Sequence, residues 1–195
     1  MNKQMSTGLI IGLGITAVIL FIIFITVGWF IGTFNTLVQA TQDINNQWSN
    51  VKTEYQRRAD LFYNMVEVTQ SYAKFEKDTM TAVTQARGGN FQGTKEDQMK
   101  EMSKLDATFS RLLVTFEAYP NLKANEQYTK LMDQIQQTEN RVQIARTDYN
   151  ALIRNYNSYI NKFPTRLLVS MYGYKEQKYF ENEKATDSAP KIVMD

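Results

Sequence analysis

The chain has 195 residues, with 22 Lys and Arg against 20 Asp and Glu, and it contains neither histidine nor cysteine. Without cysteine there is no disulfide, no thiolate nucleophile and no Cys-ligated metal, and without histidine the commonest general base near neutral pH is missing. The near-zero net charge of +2, with no basic stripe, argues against electrostatic binding of nucleic acid. We therefore predict no cofactor and no nucleic-acid partner.

An uncharged apolar segment runs from Gly8 to Gly32, after a short N-terminal segment at 1–7. A bilayer needs roughly 20 such residues as a helix, and a helix satisfies its own backbone in lipid. The segment is longer than the apolar region of a signal peptide, and Trp29 and Phe30 at its end are typical of an aromatic belt. We predict an uncleaved single-pass transmembrane helix at 8–32, surrounded by membrane lipid.

Beyond this segment, apolar side chains recur every seven residues in a stretch without Gly or Pro. The two lines of this repeat are Phe34, Thr41, Trp48, Tyr55 and Phe62, and Leu37, Ile44, Val51, Arg58, Met65 and Tyr72. The repeat predicts a coiled-coil-like helix over 33–86 that continues directly from the membrane. Gly88 and Gly89 would end it.

Two further helices are predicted over 95–118 and 125–163. Thr94 followed by Asp97 is typical of a capping box, and Asn125 is the expected N-cap of the last helix. The apolar lines of the last helix are Tyr128, Ile135, Val142, Tyr149, Tyr156 and Phe163, and Leu131, Thr138, Ala145, Leu152 and Tyr159.

These elements predict an all-α fold. The N-terminal transmembrane helix would continue into a long antiparallel three-helix up-down-up bundle over 33–164, followed at 165–195 by a short C-terminal helix or irregular tail. The start of the tail carries apolar residues, namely Leu167, Leu168, Met171 and Tyr172. In isolation they resemble a membrane-surface patch. An up-down-up bundle would instead place them far from the membrane, where we expect them to cap the bundle or to contact a neighbouring molecule.

Charged residues lie in or beside the apolar stripes of the first and last helices. Arg57, Arg58 and Asp60 fall within the stripe of the first helix, and Glu139 and Arg146 flank that of the last. One interpretation is a partly buried ion-pair network that fixes helix register, in which desolvation offsets much of the Coulombic gain. The other is a contact with a ligand or a partner protein.

No arrangement of residues typical of an enzyme is present in the sequence. The serines lie in no nucleophile elbow, no glycine-rich phosphate loop occurs, and the Glu-x-x-His motif of di-iron bundles needs a histidine. We predict a protein that is not an enzyme, and a carboxylate-based enzyme or metal protein is the alternative that elemental analysis would test.

Short motifs along nearly the whole chain, in the same order, resemble the LemA family. They are 34–37, 46–48, 57–61 and 72–76 in the first helix, 117–120 and 122–125 around the central turn, 138–140, 145–146, 149–150, 156–157 and 163–164 in the last helix, and 179–181 and 189–190 in the tail. The chain departs from the family where a Pro is usual, at Tyr63 or Asn64. That departure removes a possible kink from the first helix.

The resemblance implies a prokaryotic membrane-anchored helical bundle with a short outer N-terminus and a cytoplasmic body. The positive-inside rule, applied to Lys3 before the span and Lys52 after it, favours the opposite orientation only weakly, and we follow the family. We expect a non-enzymatic scaffold or self-assembling structural protein that forms a homo-oligomer. The alternative is an adaptor or regulator of a membrane protease or envelope-stress system, with that membrane protein as its partner.

Overall fold

The computed structural model describes residues 7–69, 77–89, 91–119, 122 and 125–180. Within these residues the secondary structure is helical, with no strand. The five helices are α1 (Thr7–Thr69), α2 (Lys77–Arg87), α3 (Lys95–Glu117), α4 (Glu126–Asn161) and α5 (Thr165–Tyr172).

Helix α1 joins an exposed apolar segment to the core of the body without a break. It has 63 residues, which corresponds to roughly 95 Å at 1.5 Å per residue. The large apolar side chains from Ile10 to Trp29, and that of Ile31, are exposed, whereas Leu37, Ile44 and Trp48 are buried. By length and composition the exposed part of α1 is able to cross a membrane.

The region 33–86, for which a single helix is predicted, contains the second part of α1 and most of α2. Helix α1 ends at Thr69, and α2 packs against α1. Nε of Arg87, at the end of α2, lies 3.0 Å from Oδ1 of Asp60, so α2 runs back along α1. The predicted uninterrupted helix is therefore wrong, and Tyr72, the last member of its second line, lies outside the described residues.

Tertiary packing explains this reversal. Val83 and Ala86 of α2 are buried in one cluster with Phe62 and Met65 of α1. A straight continuation of α1 would leave them in water, and burying an aliphatic side chain as large as Val is worth about 1.5–3 kcal/mol. The pattern of residues without Gly or Pro permits a long helix but does not require one, because most helix stability in proteins comes from packing.

Helix α3 runs in the same direction as α1. Its N-cap is Thr94, whose hydroxyl accepts a hydrogen bond from the Asp97 amide while the Asp97 carboxylate accepts one from the Thr94 amide, so the predicted capping box is confirmed. Further along α3, Phe109 stacks on Phe62 of α1 with ring centroids 4.2 Å apart. Near the start of α3, Gln98 Oε1 accepts a hydrogen bond of 3.0 Å from Nε1 of Trp48.

Helix α4 runs in the opposite direction and returns along α1. Tyr128 near its start packs in the same cluster as Phe62, and Ala145 further along accepts a hydrogen bond of 3.0 Å from Nε2 of Gln47. Asn125 caps the start, accepting hydrogen bonds from the amides of the second and third helical residues. Four helices therefore alternate in direction, and the expected three-helix up-down-up arrangement is not found.

Because of the additional reversal before α2, α5 lies at the end of the body next to the apolar part of α1, and not at the distal end as expected. The Tyr172 ring lies 5.8 Å, centroid to centroid, from both Phe30 and Phe34 of α1. The segment with Leu167 and Met171 therefore lies where the apolar part of α1 ends. The expectation that it caps the distal end is wrong, because an even number of body helices returns the chain to its starting end.

The seven-residue repeat of α4 holds only over its first two thirds. Over residues 128–149 the side chains at the predicted positions are buried. Beyond Tyr149 the predicted Leu152 and Tyr159 are only partly buried, and Ile153 and Ile160 are buried instead. Phe163 is fully outside the core. An α-helix of 3.6 residues per turn drifts about 20° per heptad against a strict seven-residue repeat, so the buried line moves by one position along a long, weakly supercoiled helix.

Candidate functional site: a polar layer between two apolar cores

The buried apolar residues form two clusters with a charged layer between them. The cluster nearer the apolar part of α1 includes Val51, Met102 and Tyr149, and the other includes Phe62 and Phe109. The charged layer contains Arg58, Asp106, Glu139 and Arg146. It is contributed by α1, α3 and α4, so it ties together three of the four body helices.

Asp106 of α3 is the centre of this layer. Its Oδ1 accepts a hydrogen bond of 2.8 Å from Nη1 of Arg58, and its Oδ2 accepts from Nη2 of Arg146 and, at 3.0 Å, from the Tyr55 hydroxyl. Nη2 of Arg58 also lies 2.5 Å from Oε2 of Glu139. Two guanidinium groups thus face two carboxylates, and the layer is neutral.

Aromatic rings cover the faces of both guanidinium groups. Arg58, whose side chain is only 5% exposed, lies 4.7 Å from the centroid of the Phe109 ring. The guanidinium carbon of Arg146 lies 5.1 Å from the centroid of the Tyr55 ring and 4.4 Å from that of the Phe180 ring. Such cation–π contacts gain strength when they are desolvated. Nε of Arg58 is a buried donor that has no hydrogen-bond acceptor among the described residues.

The structure brings together three of the five charged residues singled out in the sequence. Arg58, Glu139 and Arg146 lie in the layer, whereas Arg57 and Asp60 lie outside it. Arg57 pairs with Glu54 on the surface of α1 at 3.4 Å, and Asp60 pairs with Arg87 of α2.

The sequence interpretation missed Asp106 and Tyr55. Asp106 stands within the apolar stripe of α3, four residues after Met102 and three before Phe109, and that position identifies it as a charge facing the core. Tyr55 was assigned to the core, and its ring is buried as expected, but its hydroxyl belongs to the charged layer.

Chemically, this layer favours the register-fixing interpretation. Asp106 is engaged by three donors, and Arg58 bridges two carboxylates on two different helices. Breaking a buried pair by removing one partner is costly, so the layer disfavours any sliding of α1, α3 and α4 past one another.

Tyr149 of α4 lies near this layer. Burial raises the pKa of its phenol to about 12, and the phenol is neutral at physiological pH.

A non-helical segment at 174–180 lies along α4 and closes one side of the layer. Asn157 of α4 donates to the carbonyl of Gln177 at 2.8 Å and accepts from its amide at 2.9 Å. Asn150 makes the same pair of bonds to Phe180, at 2.9 and 2.7 Å. Seven helical residues rise about 10 Å, and three extended residues cover about the same distance, so the segment matches the spacing of the two asparagines.

Phe180 is the anchor of this segment. It is buried, stacks on Tyr55 with centroids 6.3 Å apart and lies 6.3 Å from Trp48. Lys178 adds an ion pair of 2.8 Å to Glu96 near the start of α3. The sequence predicts a short helix or an irregular tail over 165–195, and the contacts of Phe180 and Lys178 are not among the predicted ones.

The remaining candidate for a ligand site is a cleft of about 640 Å³ between α2 and α3. Glu101 and Lys104 are the ionisable side chains that line it, together with Phe91, Leu105 and neighbouring polar residues. In the part of the chain that the structure describes, no group of three or more Asp and Glu is placed to hold a metal ion. The cleft offers no acid–base arrangement that we can assign to a reaction.

The four apolar residues predicted to make contacts at the start of the tail differ in exposure in α5. Leu167, Met171 and Tyr172 are exposed, and Leu168 is partly buried. Tyr172 contacts the phenylalanines at the end of the apolar part of α1.

Comparison of the sequence with known proteins identifies its family. The sequence profile described as the LemA family matches residues 47–193, which is most of the chain and includes the whole charged layer. The chain belongs to the LemA family. The match begins inside α1, beyond its exposed apolar part.

Individual relatives extend the comparison beyond the matched profile. The LemA protein of Metamycoplasma hominis is 28% identical over 152 residues, covering 76% of this chain and 69% of that protein. Magnetosome protein MamQ 2 of Paramagnetospirillum magneticum is 29% identical over 182 residues, covering 80% of this chain and 67% of the relative. Magnetosome protein MamQ of Magnetospirillum gryphiswaldense is 27% identical over 182 residues, with the same shares.

Proposed function

We propose that this LemA-family chain is a non-enzymatic, membrane-anchored scaffold that assembles with copies of itself. The observation that carries the proposal is the continuity of α1, whose apolar N-terminal part is exposed and whose following part is the central helix of the body. A single helix without Gly or Pro beyond Gly32 transmits the orientation of the anchor directly to the bundle. A scaffold needs such a rigid connection, whereas a tethered enzyme does not.

The internal completeness of the charged layer supports a structural role. Asp106 and Arg58 pair with each other and with groups on neighbouring helices, and the Phe109 ring helps to bury the Arg58 guanidinium group. A catalytic group must be able to reach a substrate, and these groups face other parts of the same chain. The MamQ relatives are named magnetosome proteins, and their names state no reaction.

Glycines in the apolar part of α1 support self-association. A Cβ built on Gly28 or Gly32 would meet nothing within 4 Å, so the packing of this chain does not require glycine at either position. Small residues four apart allow two membrane helices to approach closely. Phe30, between these glycines, is turned toward α5, which leaves the glycine side of α1 for a second copy.

Single-cysteine cross-linking tests this arrangement, because the chain has no cysteine of its own. Ile25 lies one turn before Gly28 on the glycine side, and Val27 lies on another side of the same turn. Ile25→Cys is expected to form a disulfide-linked dimer in native lipid, and Val27→Cys to form much less. Equal and low cross-linking of both variants would contradict association through this side of α1.

The second candidate function is the adaptor of a membrane protease or envelope-stress system. The observation that favours it is the side of α4 that binds extended backbone through Asn150 and Asn157, in this structure the backbone of residues 174–180, which a partner would have to displace. A site that binds main-chain groups accepts partner segments of many different sequences, which an adaptor would require. Co-isolation of a second membrane protein with the full chain, and altered turnover of its substrates in a deletion strain, would favour this candidate over the scaffold.

We place the body on the cytoplasmic side of the cell membrane, following the family. Accessibility of single cysteines to an impermeant thiol reagent tests the orientation in intact cells. Ser110→Cys, on the exposed side of α3, is expected to be protected, and Asn2→Cys to react. The reverse pattern would place the body outside.

A further inference from the structure

Helix α5 carries an apolar surface that the rest of the protein does not cover. Phe163, just before the helix, is 83% exposed, and Leu167 and Met171 within it are 61% and 77% exposed. Leu167 and Met171 are four residues apart, so they lie on one side of the helix, one turn from each other. A contiguous exposed apolar surface of this kind marks an interaction site.

The opposite side of α5 faces the body. Thr165 and Val169 are buried, and Val169 belongs to the same core cluster as Leu37 of α1 and Ile160 of α4. The outward direction of Leu167 and Met171 is therefore fixed by packing and does not depend on a free rotation of the helix. One side of α5 is therefore packed against the body, and the opposite side, with Leu167 and Met171, is exposed.

The position of α5 along α1 identifies what the exposed side meets. Tyr172 at the end of α5 contacts both Phe30, inside the apolar part of α1, and Phe34, one turn beyond it. Aromatic residues at the end of a transmembrane segment lie at the level of the lipid headgroups. An apolar surface held at that level is adjacent to the bilayer, with no intervening part of the described chain.

We propose that α5 is a membrane-surface helix, which inserts Leu167 and Met171 between lipid headgroups beside the point where α1 leaves the bilayer. This proposal rests on the membrane anchoring of α1 in the proposed function. Its consequence is a second membrane contact that fixes the tilt of the bundle and prevents it from swinging about α1. The two apolar sides of α5 would then have different neighbours, with Val169 packed against the body and Leu167 in contact with lipid.

The charges around α5 agree with a phospholipid surface. Between Lys162 and Glu176 the segment carries three cations, Lys162, Arg166 and Lys175, and one carboxylate, Glu176. Lys162, Arg166 and Lys175 are exposed. Glu176 is engaged by the Asn161 side chain, which donates to it at 2.6 Å. Long cationic side chains at a bilayer surface extend toward the phosphates while their stems remain in apolar surroundings.

Depth-dependent fluorescence quenching tests the proposal on the full chain in phosphatidylcholine vesicles. Single cysteines at Leu167, Met171, Phe24 and Val114 would carry an environment-sensitive fluorophore, and spin-labelled lipids would serve as quenchers. All four side chains are exposed, so substitution does not disturb the core. Val114 on α3 is the matched control, since it lies on the order of 50 Å along the body from the end of the apolar segment.

The labels at Leu167 and Met171 are expected to show a blue-shifted emission and several-fold stronger lipid quenching than the label at Val114. Quenching equal to that at Val114, while Phe24 is strongly quenched, would overturn the proposal and leave the anchor intact. A blue shift at Leu167 without lipid quenching would also overturn it, because a protein would then cover α5. Absence of quenching at Phe24 would instead show that the anchoring itself, and with it this inference, is wrong.

Discussion

Arg58 of α1 donates a hydrogen bond of 2.8 Å to Asp106 of α3 at the level where the two apolar cores meet. The same carboxylate accepts from Arg146 of α4, so one side chain sets the relative positions of three helices. This contact is the structural centre of the body, and the first prediction follows from it.

Asp106→Asn keeps the size of the side chain and removes its charge. The two arginines would then share the single carboxylate of Glu139, and we expect a loss of roughly 2–3 kcal/mol in the free energy of unfolding. That value lies at or below the low end for a fully buried pair, because the Asp106 side chain is still 23% exposed. Denaturant unfolding of the full chain in detergent, followed by circular dichroism, measures it.

Asp60→Asn is the matched control, since Asp60 pairs with Arg87 at the surface. An exposed ion pair contributes about 1 kcal/mol or less, so this variant should be close to the parent chain. Equal losses in the two variants would show that Asp106 has no special structural role.

The asparagines of α4 provide the second prediction. Asn157→Ala removes both hydrogen bonds to Gln177, and we expect residues 174–180 to exchange their amide protons much faster while the core of α4 stays protected. Hydrogen exchange followed by mass spectrometry measures this. Asn155→Ala, at an exposed position of the same helix, should leave the exchange unchanged. Unchanged exchange in both variants would mean that the asparagine is not needed to hold the segment.

The capping box of α3 provides the third. Hydrogen bonds from the Thr94 hydroxyl and amide lower the pKa of the Asp97 carboxyl below its ordinary value of 3.8. The stabilising contribution of Asp97 is therefore complete above pH 3.8 and is lost as the pH falls through the lower pKa of the folded protein. Asp97→Asn should lose less stability than the parent chain over this acidic range, as thermal unfolding at a series of pH values would show.

Thr94→Ala tests the same cap at neutral pH. Removal of an N-cap hydroxyl costs about 1 kcal/mol. Thr147→Ala, in the exposed middle of α4, removes a hydroxyl that only bonds back to the Gln143 carbonyl and should have almost no effect. A similar small effect of both changes would be evidence against the cap.

Alkaline pH provides the fourth prediction. Burial raises the pKa of Tyr149 from 10.0 to about 12, so its contribution to stability is complete below pH 10 and is lost as the pH rises toward 12. Tyr149→Phe should flatten the fall in stability over this range, whereas Tyr179→Phe, at an exposed position, should not. Thermal unfolding of the three proteins and ultraviolet titration of their phenols make the comparison. Ionisation of Tyr149 near pH 10 would contradict the burial argument.

The sequence predicted the elements of this fold better than their arrangement. The charge-free segment, the caps at Thr94 and Asn125 and the seven-residue repeat are local features, and each has a physical cause within a few neighbouring residues. The reversal before α2 depends on the burial of Val83 against α1, which local sequence does not determine. The end of the body at which α5 lies depends on how many helices precede it. Because the sequence prediction did not include the reversal before α2, it placed the tail at the end of the body far from the membrane.

The charged layer was predictable in the same partial way. Arg58 falls within the apolar stripe of α1, and Glu139 and Arg146 flank that of α4, which indicates charged residues that need partners. The partner that Arg58 and Arg146 share is Asp106 of α3, which also stands within an apolar stripe and is a signal that the sequence contains. Arg57 is next to Arg58 in the sequence, but successive residues of a helix point about 100° apart, and Arg57 faces solvent.

The mass of the full chain extracted with its native lipid tests the scaffold account most directly. We expect a homogeneous homo-oligomer that dissociates in the Gly28→Ile, Gly32→Ile double variant, since the added side chains would hold two copies of α1 apart. The double variant should keep its helix content, because a Cβ at either glycine would meet nothing within 4 Å. A strictly monomeric parent chain in native lipid would contradict the account.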